Sequence, residues 1–205
     1  PDAENFRLNI GLLAIGSYLK YQGIETTVYY KSRFYLKNLH QIITPEIKLV
    51  GISIMTVQID NAIKLAKKIK KIRPDLPIVV GGCHVRLFPK DVIKQKEFDI
   101  TVPGGGEITM TEIYEALSSG RTLDKVKGLG FRQNGKVIWT KPQEDMDLKL
   151  LPKMDYSIMD HLSLINWYDR QKSMYVYSGT GCPFHCTFCI NSVSSRKFQQ
   201  RNITD

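Results

Sequence analysis

Lys48-Leu49-Val50-Gly51-Ile52-Ser53-Ile54-Met55, then Asp60 to Arg73, then Leu76-Pro77-Ile78-Val79-Val80-Gly81-Gly82, is the stretch whose reading decides the fold. Its first and last parts are apolar runs with no polar alternation, the pattern of strands covered on both faces. Between them Ile59, Ala62, Ile63, Ala66 and Ile69 recur at helical spacing and form one apolar stripe. Strand, helix and strand in succession predict an α/β fold built on a doubly wound parallel sheet.

The alternation continues outward in both directions. Upstream, Ile10, Leu13, Ala14 and Tyr18 predict a helix over Asn9 to Tyr21 that stops at Gly23, and Ile24 to Tyr30 reads as a strand. Downstream come a helix near Pro89 to Gln95, a strand over Phe98 to Val102, the loop Gly104-Gly105-Gly106 and a helix from Thr109 to Leu117. Thr109 and Glu112 have capping-box spacing. Residues 1–123 thus read as a Rossmann-like domain lacking its first strand. After Gly120 the pattern changes: Asn134-Gly135 between Phe131-Arg132-Gln133 and Lys136-Val137-Ile138-Trp139 is a hairpin signal, and Lys141 to Asp169 is rich in proline and charge. Residues 124–172 are read as a linker containing that hairpin, and residues 173–205 as the start of a further domain, with a strand at Ser173 to Ser178 and a closing helix. The chain opens at Pro1 without an initiator methionine, as expected of a piece of a longer protein.

A chain of 205 residues with 42% hydrophobic content can bury a core, and it has no apolar run of the length a membrane helix needs. The cytoplasm is the expected compartment. The net charge of +9 comes from 29 Lys and Arg against 20 Asp and Glu. Much of it lies in Lys64, Lys67, Lys68, Lys70, Lys71 and Arg73, most of which fall opposite the apolar stripe, so a solvated face is expected and nucleic acid is not the expected partner.

Three of the four cysteines form Cys182-Pro183-Phe184-His185-Cys186-Thr187-Phe188-Cys189, a CxxxCxxC arrangement. Three thiolates can hold three corners of an iron-sulfur cube and leave its fourth iron open. The competing reading is a structural zinc with His185 as fourth ligand, although no second ligand pair lies at zinc-finger distance. Cys83, standing alone, is expected to be a buried strand-end thiol.

The cysteine loop resembles the signature of radical S-adenosylmethionine enzymes. The resemblance implies a 4Fe-4S cluster held by Cys182, Cys186 and Cys189, with S-adenosyl-L-methionine chelating the open iron. It also places Phe188 near the adenine and implies an external low-potential electron donor. Arg196 to Ile203 resembles the arginine-containing stretch that follows the cysteines in radical enzymes carrying a cobalamin domain. Ser53 and Gly81-Gly82 look like the serine and double-glycine positions of cobalamin-binding domains, and Thr56, Gly104, Gly105, Gly106 and Glu107 share the strand-end placement where open parallel sheets bind ligands. Asp2 to Arg7 contain no histidine, so a histidine-ligated cobalt is not implied, and His84 reads as a pocket or surface residue. Gly105-Gly106-Glu107 imitates a methionine-binding element of radical enzymes, but it precedes the cysteines and belongs to the N-terminal domain.

The resemblance implies the cobalamin-binding domain and first strand-loop-helix of a radical S-adenosylmethionine partial TIM barrel. The function it implies is a methyltransferase or related radical carbon-bond-forming enzyme acting on a small-molecule or peptide substrate. Two alternatives stay open: a radical enzyme whose N-terminal domain binds no cobalamin, and a zinc-stabilised basic binding module. No catalytic residue is assigned, and this chain alone is expected to be inactive.

Overall fold

The computed structural model describes residues 9–30, 37–160, 175–176, 178–194 and 197–202. In chain order the elements are α1 (Ile10–Tyr21), α2 (Leu39–Ile42), β1 (Val50–Ser53), α3 (Ile59–Ile72), β2 (Ile78–Gly81), α4 (Cys83–Leu87), α5 (Pro89–Val92), β3 (Ile100–Thr101), α6 (Glu107–Ser118), β4 (Gly130–Gln133), β5 (Lys136–Trp139), β6 (Gly179–Thr180), α7 (Asn191–Ser194) and β7 (Gln199–Gln200). They fall into two compact units: Ser32–Glu144, and a second that combines Pro1–Lys31 with Asp145–Asp205. This grouping by contact cuts across the divisions at residues 123 and 172 drawn from the sequence.

The unit Ser32–Glu144 is built on a mixed sheet of order β1-β2-β3-β4-β5. β1, β2 and β3 run parallel, with Val50 opposite Ile78 and Ser53 opposite Gly81. Ile54, Leu76, Ile78, Val80, Val85 and Phe98 are fully buried. Against them α3 lays Ala62, Ala66 and Ile69, the two alanines allowing the helix backbone a close approach. Lys64, Lys68 and Lys71 face solvent, as the stripe predicts. Lys70 instead turns back to pair with Asp99 at 2.7 Å and to donate to the Leu76 carbonyl at 2.9 Å.

Several expectations change here. Asn134 and Gly135 adopt φ of 50° and 75°, so the hairpin forms, but β4 pairs antiparallel with β3 and the hairpin extends the main sheet instead of lying in a linker. The strand expected over Phe98 to Val102 narrows to Ile100–Thr101, flanked by buried Phe98 and Val102. α6 begins at Glu107, two residues before the expected cap; Thr109 is fully buried, and its hydroxyl donates to the Lys127 carbonyl at 3.3 Å. α4 is a helix with no counterpart in the sequence reading, and Cys83, its first residue, is exposed, not a buried thiol.

In the second unit, Asn9 caps α1 by accepting from the Leu12 amide at 3.1 Å. Leu13 packs with Val28, Ile158 and Met159, and Ala14 with Leu148 and Leu151. The Ser17 hydroxyl donates to the Leu13 carbonyl at 2.7 Å and accepts from the Asp155 amide at 2.8 Å. Lys20 meets the Asp155 carboxylate at 2.7 Å. The hydrogen bond from Lys20, followed by that from Ser157, holds this carboxyl at about 2, below its ordinary 3.8.

The strand expected at Ile24 to Tyr30 reduces, among the described residues, to one parallel bridge between Val28 and Met159. The Val28 amide donates to Ile158 at 2.8 Å and its carbonyl accepts from Asp160 at 3.0 Å. Of the strand expected at Ser173 to Ser178, Tyr175, Val176 and Ser178 are described and lie outside any strand, while residues 173, 174 and 177 lie outside the described residues. Strand geometry begins at Gly179, where β6 gains β7 as an antiparallel partner, and the tail read as a helix contains that strand. No helix among the described residues is long and apolar enough to cross a membrane.

Candidate functional site

Because β1, β2 and β3 are parallel, their carboxyl ends share one edge of the sheet, and the loops leaving them carry most of the sequence-predicted ligand residues. Ser53 ends β1 directly opposite Gly81 at the end of β2. Beyond Ser53 the Ile54 amide donates to the Gly81 carbonyl at 2.8 Å, and a 3-10 turn over Thr56–Gln58 leads into α3. Gly82 has φ 94° and ψ −176°, a conformation that glycine alone adopts without strain. This swings the chain so that the His84 amide donates to the Ile54 carbonyl at 3.0 Å. A Cβ on Gly82 would lie 2.8 Å from the Ile54 nitrogen, 2.8 Å from the Ser53 Oγ and 2.9 Å from the Ile54 oxygen. The space that the absence of a side chain leaves at Gly82 is therefore filled by β1 itself.

Gly104 differs: a Cβ there would meet no atom within 4 Å. It is exposed, Gly105 is half-buried and Gly106 is buried as the N-cap of α6. The positive end of the α6 dipole points out of this loop, and half-buried Glu107 in its first turn offsets part of that field. A carboxylate here accepts hydrogen bonds from amide or hydroxyl groups more readily than it tolerates an anion.

The structure joins His84, read from the sequence as a pocket or surface residue, to Thr56, and adds exposed apolar residues that the sequence reading left aside. The His84 Nδ1 lies 3.2 Å from the Thr56 Oγ1, joining the two loops, and the His84 ring packs on Phe88 at 5.2 Å with a 47° tilt. Met55 and Val57 beyond β1, Leu87 at the end of α4 and Phe88 just after it remain exposed, Val57 at 88%. The only sequence signal for them is that Met55 and Val57 are apolar residues placed beyond the strand end and off the helical stripe. The edge thus offers the polar groups of Ser53, Thr56 and His84 beside exposed apolar side chains, a mixture that suits a partly apolar ligand.

The cysteine loop, in the other unit, runs from Gly181, at φ 76°, to α7. All four cysteines are free thiols; Cys182 and Cys189 are half-buried and Cys186 is exposed. The Cys189 amide donates to the Cys186 carbonyl, and the Ser192 amide and hydroxyl both donate to the Cys189 carbonyl, at 2.7 Å for the hydroxyl. Phe188 is 92% exposed. Among the described residues no group of three or more His, Cys, Asp and Glu side chains is gathered closely enough to hold a metal ion. Three sulfur donors within eight residues fit an iron-sulfur cluster chemically, and binding one requires the loop to draw their side chains together.

Comparison with known proteins adds the following. The B12 binding domain family model matches residues 3–114. An uncharacterized methyltransferase of Pyrococcus horikoshii is 33% identical over 153 residues, covering 73% of this chain and 32% of the relative. The cytidylyl-2-hydroxyethylphosphonate methyltransferase of Streptomyces wedmorensis is 25% identical over 188 residues, covering 77% of this chain and 35% of the relative. The chain therefore spans about a third of the length of these relatives. Among solved structures, the radical S-adenosylmethionine methyltransferase TsrM from Kitasatospora setae, with a tryptophan substrate and an S-adenosylmethionine analogue bound, superposes with TM-score 0.79 at 18% identity, over 97% of this chain and 41% of that one. The cobalamin-dependent radical enzyme OxsB, with aqua-cobalamin and S-adenosylmethionine bound, gives TM-score 0.68 at 19% identity, over 89% of this chain and 26% of that one. At these identities the structures establish a shared fold.

Proposed function

Since this chain belongs to the B12 binding domain family, we propose that it holds a corrinoid at the carboxyl edge of β1, β2 and β3 and serves a radical S-adenosylmethionine enzyme, a methyltransferase or a related carbon-bond-forming catalyst. The observation that carries the reading is the family match over residues 3–114, within which Ser53, Thr56, Gly81, Gly82, Gly104, Gly105 and Gly106 lie at the ends of parallel strands or in the loops leaving them, and Glu107 opens the helix that follows.

The residues divide the work. Gly82 pulls the β1 and β2 loops together, so that Thr56 and His84 stand side by side as hydrogen-bonding groups at the edge. Gly104 leaves its wall open to close approach, and Glu107 accepts hydrogen bonds from amide-rich groups of the ligand. Met55, Val57, Leu87 and Phe88 exclude water from an apolar face. A bound corrinoid supplies a transferable methyl group or an electron-accepting metal centre, chemistry that no side chain provides.

In the other unit, Cys182, Cys186 and Cys189 are the sulfur donors proposed for a 4Fe-4S cluster, and Phe188 offers an exposed ring for stacking on the adenine of S-adenosyl-L-methionine. The proposed partners are a small-molecule or peptide substrate and a low-potential electron donor.

The test uses the full-length protein, purified without oxygen and reconstituted with iron, sulfide and hydroxocobalamin. About one corrinoid and four irons per chain, with release of 5′-deoxyadenosine from S-adenosylmethionine, support the reading. Iron with no retained corrinoid removes the cobalamin half; zinc in place of iron favours a structural metal module.

A further inference from the structure

We propose that Gln199 and Arg201 are positioning residues for the cysteine loop, fastening the strand that closes it to the backbone of residues 148–152. The inference rests on the cluster-binding reading of Cys182, Cys186 and Cys189 and adds to it which residues hold the loop in place.

The cysteine loop leaves and re-enters through the same small ribbon. Gly179 pairs with Gln200 and Thr180 with Gln199, and the Arg201 amide donates to the Ser178 carbonyl at 2.9 Å. Two strands of two residues cannot sustain themselves in water. Two side-chain bonds attach this ribbon to something better packed. The Gln199 side-chain oxygen accepts from the Leu148 amide at 2.7 Å, and the Arg201 guanidinium donates to the Pro152 carbonyl at 2.7 Å. Leu148 and Leu151 are buried against Ala14 of α1, so the anchor points belong to the hydrophobic core of this unit.

The chemistry of the two bonds is directional. Gln199 acts through an acceptor oxygen on a backbone amide, and Arg201 through a charged donor on a backbone carbonyl. Gln199 lies in β7 and Arg201 directly after it, where the chain returns to the ribbon beyond the cysteines and α7, so losing either frees the returning end of the segment that must bring three thiolates together. Neither touches a cysteine, and their effect on the cluster passes through the loop.

The experiment uses the full-length protein with Gln199→Met, Gln199→Glu and Arg201→Met. In the metal-free protein, hydrogen exchange at the amide of residue 201, which donates to the Ser178 carbonyl, is expected to quicken about tenfold in Gln199→Met and Arg201→Met, the loss of one part-buried hydrogen bond to the backbone. Gln199→Glu, which keeps the acceptor, should exchange like the unaltered protein. After oxygen-free reconstitution, iron loss to a chelator should follow the same order, fast in the two methionine variants and slow in the glutamate variant. Unchanged exchange in both methionine variants overturns the proposal. Faster exchange with unchanged iron retention overturns the positioning role and leaves only a structural one. An unaltered protein that takes up no iron sinks the cluster reading itself and this role with it, an outcome distinct from iron-loaded variants that all behave alike.

Discussion

Gly82→Ala tests the central packing claim about the sheet edge. The residue sits at φ 94° and ψ −176°, and holding an alanine there costs about 1–3 kcal/mol. The added methyl would lie 2.8 Å from the Ile54 nitrogen and the Ser53 Oγ, and 2.9 Å from the Ile54 oxygen. Two of those three atoms are backbone, and that backbone is committed: the Ile54 amide donates to Gly81 and its carbonyl accepts from His84, while the Ile54 side chain is fully buried. Relief by a rotamer change is therefore closed off, and overpacking adds about 1–3 kcal/mol. The sum is about 4 kcal/mol, a large share of the stability of an ordinary domain. With a urea slope of about 2 kcal/mol per molar, the unfolding midpoint should fall by about 2 M. Gly104→Ala is the internal control, because no atom lies within 4 Å of its Cβ position. Its stability should stay within about 0.5 kcal/mol of the unaltered protein, a midpoint shift of no more than about 0.25 M. Circular dichroism through a urea titration reads both variants. A Gly82→Ala protein as stable as its parent, or a Gly104→Ala protein equally damaged, would refute the assignment of Gly82 to the fold and Gly104 to an open wall.

Phe98→Ala empties a fully buried site beside β3 and should cost about 3–5 kcal/mol, seen as a melting-temperature drop of about 10 °C or more. A loss under about 1 kcal/mol would mean the core closes around the gap. Lys20→Met should raise the Asp155 titration midpoint from about 2 toward the ordinary 3.8, read by carbon NMR of its carboxyl. Because this carboxyl is depressed in the folded state, its stabilisation is present above the unfolded value and fades as pH falls from about 4 to 2. The pair is substantially solvent-exposed, so screening limits that stabilisation to about 1 kcal/mol or less. Gly135→Ala places a side chain at φ 75° in the two-residue turn and should cost about 1–2 kcal/mol, with faster amide exchange in β4 and β5 than in β1 and β2. Equal exchange across the sheet would count against an independent role for that turn.

The legible parts of this protein are those whose physics is local. Apolar runs at 48–55 and 76–82 around an amphipathic helix define β1, α3 and β2 because burial on both faces and a 3.6-residue stripe leave their mark within a few residues. Asn134-Gly135 announces its turn because so few residues accept positive φ. The candidate ligand residues were legible for a similar reason: glycines and a serine at successive strand ends share one edge once the strands are parallel. The pairing of His84 with Thr56 and Phe88 escaped because it depends on α4, a helix too short to show periodicity. Thr109 was misassigned as a cap because its hydroxyl has a better partner, the Lys127 carbonyl, eighteen positions along the chain.

By itself the amino-acid order determined the α/β class, the parallel core, the hairpin and the cluster of three thiols, each written in side-chain periodicity or turn chemistry. Only the folded chain decided that β4 and β5 extend the main sheet and that Ile24 to Tyr30 meets Met159 at one bridge. It also decided that α1 packs with residues 146–159 and that the room at Gly82 is taken by β1. Those outcomes depend on which distant backbone groups and apolar faces find each other, and pairing across a hundred residues leaves no local pattern to read.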